Sequence, residues 1–179
     1  RFIINKTTTF FGNSFATQHS ISAQDLQGGL EQLYLIWDKG LRNTEKNLHD
    51  DVQTYSAAYI SYNKDVEDLW FSPSDINDQT DPVAFSGIID WAAIRTKYFI
   101  TAFVPSSAGS AAIDGQAYML NEKTVVPSYS ASVFTSNKTL ESSLYIGPLD
   151  IDSVGQLGTS LDRIMNFGWF IIQPFSRGV

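Results

Sequence analysis

Two histidines, His19 and His49, nineteen acidic residues and no cysteine set the catalytic and metal-binding chemistry open to this chain of 179 residues. A zinc site needs three or four ligands at a supporting spacing. No H-x-x-x-H or H-x-H occurs, and thiolate ligation is impossible without cysteine. His49-Asp50-Asp51 lies in the polar run 43–51 and reads as a solvated loop, because adjacent carboxylates in such a run are simply hydrated. The stretch from Asp75 to Pro82 offers the oxygen donors of a calcium loop. It lacks the central glycine and closing glutamate of an EF-hand, so a turn-rich loop is expected there. Asp50/Asp51, Asp65/Glu67/Asp68, Asp75/Asp78/Asp81 and Asp150/Asp152 would suit glycoside hydrolysis only if two carboxyls faced each other across a cleft. A serine nucleophile needs a strained G-x-S-x-G turn, which Ser86-Gly87 and Gly109-Ser110 do not provide. Gly28-Gly29 is an isolated pair without a phosphate loop or dinucleotide fingerprint. The residues thus nominate no catalytic group, no cofactor and no metal ligand, and the expected protein is not an enzyme.

Charge excludes further classes. The formal net charge is −7 and the pI about 4.6, with Lys and Arg scattered rather than striped. Nucleic acid is therefore not an expected partner, since phosphate binding depends on clustered positive charge. Nor does charge favour an anionic membrane surface. No stretch approaches the roughly 20 apolar residues needed to span a bilayer; the longest runs are Tyr98–Val104 and Phe167–Ile172. The chain opens on Arg1-Phe2-Ile3-Ile4 without an initiator Met, and reads as a piece of something longer. Asn5-Lys6-Thr7 and Asn137-Lys138-Thr139 match a glycosylation pattern too short to carry meaning.

The elements that would position any site read as β-strands. Apolar residues make up 43% and aromatic ones 13%, with charge at only 17%, which is the composition of a β-protein with wet outer faces. Between Thr124 and Phe134, Pro127, Tyr129, Ala131 and Val133 alternate with Ser128, Ser130 and Ser132, as a half-buried strand requires. Pro127 places part of that strand at an edge or a strand start. Other expected strands are 2–8, 13–22, 33–37, 55–62, 66–71, 116–120 and 140–146, separated by turns rich in Gly, Pro, Asn and Asp. Residues 106–115, small and polar, read as a second loop. Trp91 begins a segment that would start as a helical turn before a buried strand at Tyr98–Val104. Asp150 or Asp152 would cap a short helix ending near Leu157, and Leu161–Phe170 would form another helical piece. Trp37, Trp70 and Trp91 are expected in the core.

Three blocks carry a resemblance. Trp91, Ala93, Tyr98, Phe99, Ala102 and Pro105 follow W-x-A-x-x-x-x-Y-F-x-x-A-x-x-P, and Leu144-Tyr145-Ile146-Gly147-Pro148 follows L-Y-x-G-P. Phe167-Gly168-Trp169 leads to Pro174-Phe175. In this order they resemble the YidC membrane-protein insertases (the YidC/Oxa/Alb family). More weakly, Trp37, Gly40, Leu41, Thr44 and Glu45 resemble W-x-x-G-L-x-x-T-E. The resemblance implies the large periplasmic domain of such a protein, at the periplasmic face of the bacterial inner membrane. Its implied fold is an all-β antiparallel β-supersandwich, galactose-mutarotase-like, with short C-terminal helices. Residues 1–148 would form the sandwich, short of its N-terminal strands, and 149–179 the helices leading to the membrane interface. The implied role is non-catalytic: supporting membrane-protein insertion and folding through contacts with the Sec translocon components SecDF and SecYEG and with nascent membrane proteins. The full-length protein would be membrane-tethered and this piece soluble. Trp169, Phe170, Ile171 and Phe175 are the candidate partner or interface contacts. Carbohydrate or peptide binding by the sandwich is the alternative.

Overall fold

The computed structural model describes residues 2–25, 28–44, 46, 48, 52, 55–71, 82–106, 109–122 and 124–165. Eleven strands form two sheets. They are β1 (Phe2–Phe10), β2 (Ala16–Asp25), β3 (Leu33–Trp37), β4 (Ala57–Tyr62), β5 (Asp65–Leu69) and β6 (Val83–Gly87), followed by β7 (Ile89–Arg95), β8 (Phe99–Pro105), β9 (Gly109–Asn121), β10 (Thr124–Thr135) and β11 (Thr139–Pro148). The larger sheet has the order β1-β2-β11-β8-β7-β4-β5 and the smaller β3-β10-β9-β6. Every neighbouring pair is antiparallel. Links that are not hairpins cross from one sheet to the other, as a sandwich demands. The β4–β5 hairpin turns on Asn63 and Lys64, both at positive φ (50° and 70°), the twist-matched geometry of a two-residue loop.

Two cores result. Between the sheets, Ile60, Ile94 and Phe103 meet Ile113, Tyr129 and Val133. Burying each such side chain stabilises the fold by about 1.5–3 kcal/mol. On the opposite face of the larger sheet, Trp91, Ala93, Ile100, Ala102 and Tyr145 pack against Val154, Leu161 and Ile164. These last three belong to α1 (Ile151–Gly155) and to a 3-10 turn (Ser160–Ile164). The molecule is thus layered: small sheet, large sheet, helical cover.

The alternating serines of β10 face outward as the sequence predicts, over alternately buried partners. Pro127 sits in the half of β10 that β3, pairing only with Ala131–Thr135, does not reach. Other expectations need correction. Residues 109–115 are not loop but the first half of β9, held by β10 and by β6. Trp91 does not begin a helical turn; it lies inside β7, where both sheet faces are covered and alternation vanishes. Strand β6 went unread. Trp70 lies just beyond β5 and is 56% exposed rather than buried in the core. The helical piece expected from Leu161 is a 3-10 turn ending at Ile164, and its continuation past Met165 lies outside the described residues.

Candidate contact surfaces

His19 is buried on the inner face of β2, its ring nitrogens 3.2 Å from Thr8 Oγ1 and 2.9 Å from Thr17 Oγ1. Burial first, and then the Lys6 charge, lower its pKa below the ordinary histidine value, so it is held neutral among hydroxyls. No described carboxylate or second histidine joins it, and among the described residues no three His, Asp or Glu side chains are grouped to hold a metal. His49, Asp50, Asp51 and the acidic stretch 75–81 lie outside the described residues, as do Trp169, Phe170, Ile171 and Phe175. Asp150, expected as a helix cap, takes that role: its Oδ1 accepts from Ser153 N–H at 2.9 Å, and this bond holds its carboxyl below the usual pKa.

What the sheet does build is a seat for the helical cover. Trp91, fully buried, donates its indole N–H to Ser160 Oγ at 3.2 Å. Ala93 and Ala102, opposite one another on β7 and β8, are small enough to let the cover approach. Tyr145 is buried, its hydroxyl donating to the Pro148 carbonyl at 2.7 Å and closing the end of β11. Burial pushes its phenol pKa up, so it remains a donor. Gly147 has room for no side chain: a Cβ would fall 2.8 Å from Phe15 Cγ and from the Tyr145 hydroxyl. Arg95, buried at the end of β7, donates from Nε to the Thr96 carbonyl at 3.3 Å and from Nη1 to the Ile164 carbonyl. It clamps the last described turn to the sheet, and its guanidinium stands 5.9 Å from the Tyr55 ring centroid. Residues of the first two signature blocks, far apart in sequence, therefore converge on one surface.

The model of the YidC periplasmic domain matches residues 3–176. The chain belongs to the YidC periplasmic domain family. Curated relatives carry the name membrane protein insertase YidC. The chain is 35% identical to that of Prosthecochloris aestuarii over 186 residues, covering 96% of this chain and 30% of the relative. For Chlorobium phaeovibrioides the identity is 32% over 179 residues, again 96% of this chain and 30% of the relative. For Chlorobium luteolum it is 30% over 184 residues, 98% and 31%. The chain thus spans about three-tenths of the length of the YidC relatives it matches. No helix among its described residues is long and apolar enough to cross a membrane.

A second surface in this YidC domain is the outward face of the small sheet. A groove of ≈ 660 Å³ runs between Tyr34 and Ile36 of β3 and Ala112 and Asp114 of β9. Its floor is β10, whose Ser130 Oγ donates to Asp38 Oδ1 at 2.8 Å. The rings of Tyr34 and Phe134, paired on β3 and β10, stack at 4.9 Å along one side of it. Hydroxyls, the carboxylates of Asp38 and Asp114 and a stacked aromatic wall can hold a polar chain in place. Sequence reasoning missed this groove, because its members come from three strands. It also missed Arg95, whose one available signal was a cation ending the apolar run Trp91–Ile94.

Proposed function

We propose that this chain is the non-catalytic periplasmic domain of an inner-membrane protein insertase and supports insertion and folding by protein contact. In this reading it stands at the periplasmic face of the bacterial inner membrane. The sandwich of residues 1–148 carries a helical region, 149–179, that leads toward the membrane. SecDF, SecYEG and nascent membrane proteins are the partners. One observation carries the reading: four residues that match the family signature, Trp91, Ala93, Ala102 and Tyr145, form the seat on which the helical cover packs. A contact module needs a rigidly presented surface, and a buried tryptophan, a buried arginine and a glycine too tight for a side chain supply rigidity.

The test is made in the full-length protein. Photo-cross-linkers at Asp152, Gln156 and Arg163, on the outer side of the cover, are expected to capture translocon subunits or a nascent chain. Loosening the seat with Trp91→Ala is expected to reduce both capture and insertion. Unchanged insertion and co-purification after removal of residues 150–179 would sink the contact reading.

The outward groove supports a second reading, carbohydrate or peptide binding, on the strength of the Tyr34–Phe134 stack beside serine hydroxyls. Calorimetry with common hexoses and with extended peptides decides it. Silence from both, or binding unaffected by Tyr34→Ala, would retire the groove.

A further inference from the structure

Ten of the fifteen exposed large apolar side chains among the described residues lie at one end of the sandwich. Strand pairing defines that end. Pro148, last in β11, faces Phe99, first in β8, and the Phe15 carbonyl accepts from Ile146 N–H. Arg95, last in β7, faces Ile100 and Ala57, while Leu69, last in β5, faces Ala58. The β1–β2 tip, the β7–β8 turn and the exit from β5 therefore stand in a row along the large sheet. Their side chains are Phe10 (78% exposed), Phe11 and Phe15 at the tip with Ile146 beside them, Tyr98 and Phe99 at the turn, and Trp70 after β5. The small sheet adds a parallel row. Only three residues separate the end of β10 from the start of β11 at the far end of the molecule, so the β9–β10 hairpin points this way, with exposed Tyr118, Met119 and Leu120.

Single exposed apolar residues need no explanation, but a cluster on the tips of strands from both sheets does. We propose that this end rests against the headgroup–acyl boundary of a lipid bilayer. The end of the described chain supports that occupant. The Ile164 carbonyl is held by Arg95, which also holds the carbonyl of Thr96 in the aromatic turn. The residues that follow from this point include Phe167, Trp169, Phe170, Ile171 and Phe175. The side-chain types fit too. Phe, Tyr and Trp at loop tips, with the Lys97 Nζ lying 5.1 Å and 5.3 Å over the Tyr55 and Tyr98 rings, combine apolar bodies with polar ends as interfacial residues do. Attraction is apolar, so it does not conflict with a net charge of −7. This goes beyond the contact reading and stands or falls separately from it, since its readout is lipid and not a protein partner.

The absence of cysteine makes single labels unambiguous. Phe11→Cys and Tyr98→Cys, with Ile88→Cys at the opposite end as control, each carry an environment-sensitive fluorophore on the 179-residue chain. On adding phosphatidylcholine vesicles, the labels at 11 and 98 are expected to shift to the blue and to be quenched by brominated lipid, while the label at 88 stays put. A Phe11→Ser/Tyr98→Ser pair is expected to weaken vesicle flotation about tenfold or more. All these side chains are exposed, and an unchanged urea midpoint shows the fold intact; Phe10→Cys replaces any label that moves it. No shift at 11 and 98, or an equal shift at 88, overturns the proposal. So does a blue shift that grows with protein concentration without vesicles, which means a second copy. A label shielded without vesicles and freed by deleting 166–179 overturns it as well, since the chain then covers its own end.

Discussion

Gly147→Ala tests whether the end of β11 is as tightly assembled as its contacts imply. The new Cβ would meet Phe15 Cγ at 2.8 Å, the Tyr145 hydroxyl at 2.8 Å and Phe15 Cβ at 2.9 Å, where ordinary contact starts at 3.4 Å. Neither neighbour yields freely. Phe15 is tied through its carbonyl to Ile146 N–H at 3.1 Å, and the Tyr145 hydroxyl is engaged with Pro148. Moving the hairpin tip by about half an ångström is overpacking, which costs about 1–3 kcal/mol. Replacing glycine narrows the unfolded ensemble and returns about 0.4–1 kcal/mol. The net loss spans about 0–2.6 kcal/mol and centres on about 1.3 kcal/mol, or about 3–5 °C in Tm for a chain of this size. Urea melts followed by near-ultraviolet circular dichroism measure it, with an unchanged slope showing that stability alone has moved. Phe15→Ala removes Cγ and Tyr145→Phe removes the hydroxyl, so each is expected to reduce the penalty of Gly147→Ala in a double-mutant cycle. A Gly147→Ala protein as stable as its parent, or a penalty indifferent to both partners, would refute the close approach.

Thr101 is buried in the large sheet and its Oγ1 has no hydrogen-bond partner among the described residues. Thr101→Val keeps the shape and removes the orphan hydroxyl, so chemical denaturation should show it stabilised by about 1 kcal/mol. His19 has a folded pKa below the ordinary 6.5, so the unfolded chain binds the proton more readily and stability falls as pH drops below about 6.5. Asp150, with its pKa lowered, contributes stability above the carboxylate range that is lost only as pH falls through it. The two windows separate, and His19→Gln should flatten the upper one alone in melts from pH 7.5 to 5. Asp150→Ala should cost about 1 kcal/mol of stability, the usual worth of a helix cap, read from the same denaturation curves.

The all-β sandwich was legible because most strands have one wet face. The serines of β10 are the clearest example, and the hydroxyl and amide side chains of β2 are another. Legibility failed where that condition failed. In β7, Trp91, Ala93 and Arg95 lie under the helical cover while Ala92 and Ile94 enter the inter-sheet core, so WAAIR shows no alternation to read. The first half of β9 alternates, but between Gly, Ser, Ala and Ile, and so faintly that pairing with β6 and β10 rather than side-chain pattern makes it a strand. Exposure was opaque in the same way. Trp70 and Trp91 look alike in sequence, yet one stands at a strand exit and the other under the helical cover, because a strand's end is set by its partner's length.

The likeness that placed the chain in its family also has a physical content that motif matching hides. Trp91 and Ala93 come from β7, Ala102 from β8, Tyr145 and Gly147 from β11, and these three strands are adjacent in the sheet order β11-β8-β7. A sheet face covered by strands tolerates many apolar choices, because both layers can shift together. A face covered by one short helix and a 3-10 turn has far fewer contacts with which to fix its cover. It relies instead on particular devices: an indole N–H reaching Ser160, a guanidinium holding the Ile164 carbonyl, and alanines and a glycine that permit close approach. The indole, the alanines and the glycine fall at fixed positions of the first two blocks, the guanidinium at an open one, and the face they hold is the more lightly fastened of the two. That asymmetry yields a final expectation. Trp91→Phe keeps an apolar ring but forfeits the bond to Ser160, so the cover should loosen before the sandwich melts. Hydrogen exchange would then quicken at Val154 N–H and Met165 N–H, both bonded within the cover, while β9 and β10 stay protected. If exchange rose equally in both layers, cover and sandwich would be one cooperative unit, and the seat would have no separate part to play.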